Sequence, residues 1–151
     1  MNVSDERGNE MKARIVPLKF AEMNEREEAE YAEQLAQLEE MYREEAEFLA
    51  PVTLGEALPQ EVDAAVFPKM IYAAFRHDEE MKAIERPMVV LTSQYGTIEM
   101  WDWEIVTYLR DLGCRVLAPY SVEMAKVILR ALGVQAKLLQ GAKFLLFQDT
   151  P

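Results

Sequence analysis

One cysteine, one histidine and no apolar run of membrane-spanning length set the first limits on this 151-residue chain. A lone Cys114 rules out a disulfide framework, and its place at the head of an apolar run makes it a small core hydrophobe. A lone His77 rules out His-rich metal sites, and in its charged surroundings it reads as a surface residue rather than a catalytic one. No nucleophile elbow of the GxSxG type is present, and neither GxGxxG nor GxxxxGK[ST] occurs to specify a nucleotide. Positive charge is scarce: 16 Lys and Arg stand against 27 Asp and Glu, a net −11. Phosphate backbones need clustered cations, so nucleic acid is excluded as a partner. The polar, charged N-terminus is unlike a signal peptide and nothing is built to cross a membrane, so a cytoplasmic location with no membrane partner is expected. No Gly/Ser linker and no repeat of twenty to fifty residues divides the chain.

What is present is strand and helix in alternation. Met88-Val-Val-Leu-Thr-Ser, Cys114-Arg-Val-Leu-Ala-Pro and Lys143-Phe-Leu-Leu-Phe-Gln-Asp are apolar runs separated by two helical patterns, a βαβαβ unit. Parallel strands covered on both faces read as unbroken apolar runs, and their ligands bind in the loops beyond the carboxyl ends. Those loops are Ser93–Thr97, Pro119–Ser121 and Gln148–Pro151. With the strand-like segments Arg14–Phe20, Pro51–Leu54 and Ala64–Phe67, the pattern predicts an α/β fold with about six strands in a three-layer, mainly parallel, doubly wound sheet. Residues 1–13 lack an apolar period and are expected to be mobile, and 14–151 form a single domain.

Glu22 to Glu47 holds eleven Glu and two Arg, so this short stretch carries nine of the eleven net negative charges. Tyr31, Leu35, Leu38, Tyr42, Ala46 and Leu49 recur in it at steps of three and four. This predicts one amphipathic helix from about Asn24, its N-cap, to Leu49, its apolar stripe docked on the sheet and its acidic face in solvent. Pro17 removes a ladder donor from the first strand, which is therefore expected at a sheet edge or distorted. Met70–Arg76 reads as a short helix followed by a charged segment, His77–Glu80.

The candidate binding residues lie in the loops of the βαβαβ unit. Thr97 is a good N-cap whose helix would present free N–H groups to a phosphate or sugar hydroxyl above Ser93, Gln94 and Tyr95. On the following helix Ile98, Trp101, Ile105, Tyr108, Leu109 and Leu112 share one face. Trp103 lies away from it, where it can pack in a subunit interface, stack on a sugar ring or pack under a neighbouring loop of the same chain. Ser121 reads as the cap of the next helix, beside Tyr120, and Gln148 and Asp149 end the last strand.

The run Val89-Val-Leu-Thr-Ser-Gln-Tyr-Gly-Thr-Ile-Glu-Met-Trp-Asp-Trp-Glu-Ile-Val-Thr-Tyr-Leu-Arg resembles the amino-terminal domain of the L-fucose and L-arabinose isomerase-like sugar isomerases. Val66-Phe-Pro-Lys-Met-Ile, Pro119-Tyr-Ser-Val-Glu and Phe144-Leu-Leu-Phe-Gln-Asp follow the same family order, so the likeness spans about residues 64–151. It implies a Rossmann- or flavodoxin-like first domain of a longer aldose–ketose isomerase that acts on a monosaccharide, assembles as a homo-oligomer and carries a divalent metal, usually manganese. In such enzymes a metal chelates adjacent sugar oxygens and a carboxylate moves the proton through an enediol. The metal ligands and the base belong to later domains, so no catalytic residue, metal ligand or cofactor is assigned to this chain. Relatives continue where this sequence stops, at Pro151. An alternative is a stand-alone flavodoxin-like module that binds a small ligand or a protein without catalysis.

Overall fold

The computed structural model describes residues 12–91, 100–119 and 121–138, with side chains given for all of these except 100–103 and 135–138. Six strands form one mainly parallel sheet between helical layers. β1 (Ala13–Lys19) leads through α1 (Glu25–Met41) to β2 (Ala46–Phe48) and the short β3 (Val52–Thr53). β4 (Ala64–Val66) is followed by a 3-10 turn (Tyr72–Arg76) and α2 (Asp78–Lys82). β5 (Met88–Val89), α3 (Met100–Asp111), β6 (Val116–Leu117) and α4 (Val122–Leu138) complete the described chain. The order across the sheet is β2-β1-β4-β5-β6, with β3 paired to β1, and every pairing is parallel. This is a flavodoxin-like order, doubly wound about the boundary between β1 and β4.

The two faces of the sheet are read from alternate residues. Ala13, Ile15, Ala64, Val66, Val89 and Leu91 pack against Leu38 and Tyr42 of α1 and Ala125, Leu129 and Leu132 of α4. Met88 and Val116 face the opposite layer, where α3 contributes Ile105, Val106 and Leu109 and α2 contributes Met81. Of the three predicted caps, Asn24 and Ser121 are present, and Thr97 lies outside the described residues. Asn24 accepts from the Glu27 N–H while the Glu27 carboxylate accepts from the Asn24 N–H, a full capping box. Ser121 Oγ accepts from the Met124 N–H at 3.1 Å.

Three sequence expectations are corrected. The acidic helix does not reach Leu49: it ends at Met41, with Tyr42 as C-cap, and Ala46–Phe48 is a strand. Ala46 and Leu49 continue the helical spacing by coincidence, since in the fold Ala46 is buried in the sheet beside Ala13. The charged segment after the 3-10 turn is itself helical, as α2, with three acids in its first turn, where the helix dipole favours them.

The third correction concerns Pro17. β1 is neither an edge strand nor broken; it is paired on both sides. Towards β4 it aligns Ile15, Val16 and Pro17 with Ala64, Ala65 and Val66. On its other side it aligns Ala13–Ile15 with Ala46–Phe48, then Leu18 and Lys19 with Val52 and Thr53. The Ala13 N–H and the Ile15 and Lys19 carbonyls all bond on that second side, to Glu45, Leu49 and Leu54. Strand periodicity turns the missing Pro17 donor the same way, towards the gap where β2 hands over to β3. A central strand thus holds a proline without losing a ladder bond.

Among the described residues no helix is long and apolar enough to cross a membrane. Among the residues whose side chains are described, the one buried charged residue is Glu45, 4% exposed, at the turn into β2. Its Oε2 accepts from Arg130 Nη2 of α4 at 3.3 Å, and Oε1 has no hydrogen-bond partner. Beside it, burial and the Glu45 charge push the Tyr42 hydroxyl up to about 12. Replacing Arg130 by Met leaves a buried carboxylate without its cation and is expected to cost on the order of 1–3 kcal/mol in urea unfolding. Glu45→Gln combined with Arg130→Met should recover most of that loss; equal losses in both variants would show that the side chain of Arg130 matters only for packing.

Candidate functional site

In an open parallel sheet, ligands bind beyond the carboxyl ends of the strands where the winding reverses. Here that point lies between β1 and β4. The first residues past those strands are aromatic: Phe20 and Phe67 stack with ring centroids 5.5 Å apart and planes 18° from parallel. His77, arriving after the 3-10 turn, lies 5.9 Å from the Phe20 ring. Its Nε2 donates to Glu22 Oε2 at 2.6 Å, and its buried Nδ1 has no hydrogen bond, with Glu80 Oε1 3.5 Å away. The crevice is therefore filled by the chain's own side chains.

The charges around His77 fix its state. Burial opposes the imidazolium, but the hydrogen bond and charge of Glu22, aided by Glu80, outweigh it and raise the histidine above its ordinary value. The same hydrogen bond holds Glu22 below the usual carboxylate range. An imidazole with carboxylates facing both nitrogens has no lone pair directed at a substrate. It acts as a strap joining the β1–α1 loop to α2, and the lone histidine is partly buried rather than the surface residue expected.

The start of α1, where a fold of this kind can cradle a phosphate, is closed in a different way. The capping box takes the Asn24 and Glu27 N–H groups, and Glu25, Glu27 and Glu28 fill the first turn. Lysines from the strand ends are spent on this helix: Lys19 Nζ meets Glu28 at 2.7 Å and Lys69 Nζ meets Glu30 at 2.6 Å. An anion would meet a negative surface at this end. Lys19 also lies over the ring of Tyr31, 5.5 Å from its centroid. The hydroxyl of Tyr31 is buried without a hydrogen bond, and burial together with Glu28 raises it well above its ordinary range.

On the far side of the strap, α3 is fastened to the same turn. The Tyr108 hydroxyl reaches both the Ala74 carbonyl and the Asp78 carboxylate, and its ring meets Phe75 edge-on at 4.7 Å. Burial and the Asp78 bond raise this hydroxyl too. Cys114 directs its Sγ at the Met81 carbonyl, 3.5 Å away, and burial pushes its thiol up, as suits a packed thiol rather than a nucleophile.

Most residues singled out in the sequence fall elsewhere. Ser93, Gln94, Tyr95, Thr97, Tyr120, Gln148 and Asp149 lie outside the described residues, as does the expected strand 143–149. Trp103 lies within α3, where only its backbone is described. Their neighbours are described: Leu91, buried, follows β5, and Pro119, buried, follows β6. Because Met88 aligns with Val116 and Val89 with Leu117, the chain leaves β5 and β6 side by side at the edge that also carries Phe20 and Phe67. Ser121 serves as a helix cap. Sequence reasoning missed the His77–Glu22 strap, whose partners are 55 residues apart and follow no motif. Among the described residues no group of three or more His, Cys, Asp or Glu could hold a metal ion.

The strap has a pH signature. With its folded pKa raised, His77 contributes stability that is complete below 6.5 and is lost as pH rises through the folded value. Glu22, lowered, contributes stability present above 4.5 and lost as pH falls through its folded value. The stability gap between the natural chain and His77→Gln is expected to be widest between pH 4.5 and 6.5 and to narrow on either side, as read by urea unfolding across pH. A gap flat from pH 4 to 9 would contradict the ion pair.

Compared with known proteins, the chain matches no family model, and no curated protein matches it.

Proposed function

We propose that this chain is an amino-terminal, substrate-gating and assembly domain of a metal-dependent aldose–ketose isomerase resembling the L-fucose and L-arabinose isomerases, and that it does not turn over substrate by itself. One structural observation carries the reading. The β1/β4 crevice is occupied by Phe20, Phe67 and His77, while the chain leaves β5 and β6 side by side towards the loops that bear the family-like residues. A domain of this design contributes binding and packing surface at β5 and β6. Ser93, Gln94, Tyr95, Thr97 and Tyr120 are the residues that would meet a monosaccharide hydroxyl or a neighbouring subunit, with Trp103 at the subunit boundary and Gln148 and Asp149 beyond them. A neutral sugar suits this edge better than a phosphate, given the capped and acidic start of α1. The manganese that the resemblance implies for the whole enzyme belongs in this reading to the later domains, which would supply its ligands and the catalytic base.

Light scattering after size exclusion, with and without Trp103→Ala, tests the assembly role. Self-association is expected in the natural chain and should weaken on the order of tenfold in the variant, as for a central aromatic of an interface. Amide shift mapping with L-fucose and L-arabinose tests the gating role, with perturbations expected at residues 93–97 and 120. Conversion of an aldose to its ketose by this chain alone, or a monomer indifferent to both sugars, would overturn the proposal.

A further inference from the structure

A second concavity lies away from the loops just discussed. It is a groove of about 750 Å³ between the segment that follows β3 and the wall made by α2 and its exit, with Leu18 of β1 in its lining. Leu54, Leu58 and Ile84, all partly buried, give it an apolar lining continuous with the core around Val16, Leu18 and Ala65. Its shape is fixed at two points. Gly55 turns the chain at φ +103°, a conformation that side-chain-bearing residues rarely adopt, beside the Glu80 side chain. Arg86 Nη2 donates across the groove to the Gln60 carbonyl at 3.4 Å.

The charged lining is Glu56 on one wall and Glu79, Glu80, Glu85 and Arg86 on the other, so carboxylates outnumber the single guanidinium, which is turned to the Gln60 carbonyl. Glu79 is paired with Lys82 at 3.6 Å and Glu80 with His77 at 3.5 Å. Among the described residues Glu56 and Glu85 have no ion-pair partner. An apolar trough with unneutralised carboxylates at its mouth complements one kind of ligand, a cation carried on an apolar body. The volume falls within the roughly 300–1,000 Å³ of small-molecule clefts, whereas a stable protein contact needs a far wider surface. From this complementarity we infer that the groove between residues 54–60 and 79–86 binds a free organic amine with an apolar stem, its ammonium between Glu56 and Glu85 and its stem along Leu54, Leu58 and Ile84.

This site is separate from the sugar and assembly surface proposed above, and either can fail without the other. The experiment is titration of the full chain, labelled for amide shift mapping, with n-octylammonium, n-butylammonium, n-octanol and N-acetyl-lysine methylamide at physiological salt. Octylammonium is expected to shift amides at 54–60 and 79–86 and to bind on the order of tenfold or more tightly than butylammonium, because the extra methylenes are removed from water. Glu56→Gln with Glu85→Gln, both at exposed positions, should weaken octylammonium several-fold and leave octanol unchanged. Leu58→Asn should weaken both, and the amide spectrum reports that each variant is folded. Shifts concentrated on the glutamates of α1, or affinity indifferent to stem length, would mean attraction to bulk negative charge and would overturn the inference. So would octanol binding as tightly as octylammonium, or a lysine side chain binding as well, which would make the groove a dock for a partner's lysine.

Discussion

The structure depends on one strand that is paired on both sides while carrying a proline. β1 bonds to β4 along one edge and to β2 and then β3 along the other, so three of the other five described strands are fixed relative to Ala13–Lys19. Proline would ordinarily forbid that position, because a central strand must donate on both sides. The conflict is resolved by dividing the neighbour in two. Only where β2 gives way to β3 can the lost donor do no harm, and that requires α1 to end early enough for two short strands to follow it. The length of α1, the strand at Ala46–Phe48 and the tolerance of Pro17 are therefore one constraint seen at three places.

From that constraint follows the character of the carboxyl edge. Winding outwards from β1 on both sides puts the reversal between β1 and β4 and makes the residues after them, Phe20 and Phe67, near neighbours. Buried aromatics that meet there gain contact area and stacking, which favours a filled crevice over a wet one. Glu22 and His77 lie against the stack, and their hydrogen bond ties the loop after β1 to the start of α2, with Glu80 on the other side of the ring.

How far the sequence could be read follows from how local each signal is. The caps at Asn24 and Ser121, the stripe through Leu35, Leu38 and Tyr42, and the alternation of strand with helix are short-range patterns, and each stands in the fold. The extension of the helix to Leu49 failed because two residues, Ala46 and Leu49, matched the helical spacing while serving a strand. The edge or distortion expected from Pro17 is absent because β1 has two successive neighbours, β2 and β3, on one side. His77 was placed on the surface because its partners, Glu22 and the Phe20 ring, are far away in sequence, and no spacing rule connects a loop after β1 to a turn after β4. The loop residues Ser93 to Thr97, with Tyr120, Gln148 and Asp149, rest on the family resemblance.

Charge requires a separate argument, because a chain with net −11 attracts any cation to some degree. Most of that charge sits on α1 and the turn after it, spread along a helix face in contact with water. At physiological ionic strength the field of an exposed charge is screened within about 8 Å, so those glutamates steer an approaching cation but select nothing at a distance. Selection needs carboxylates whose nearest neighbours are apolar and whose cations are elsewhere. In the described structure, Lys19 and Lys69 are drawn to α1, Lys82 to Glu79 and His77 to Glu22 and Glu80. The cations are thus spent holding strand ends and helices together. Glu56 and Glu85, without an ion pair among the described residues, line the groove of Leu54, Leu58 and Ile84, where the one cation, Arg86, is held to the Gln60 carbonyl, so apolar neighbours rather than charge alone distinguish them from the glutamates of α1.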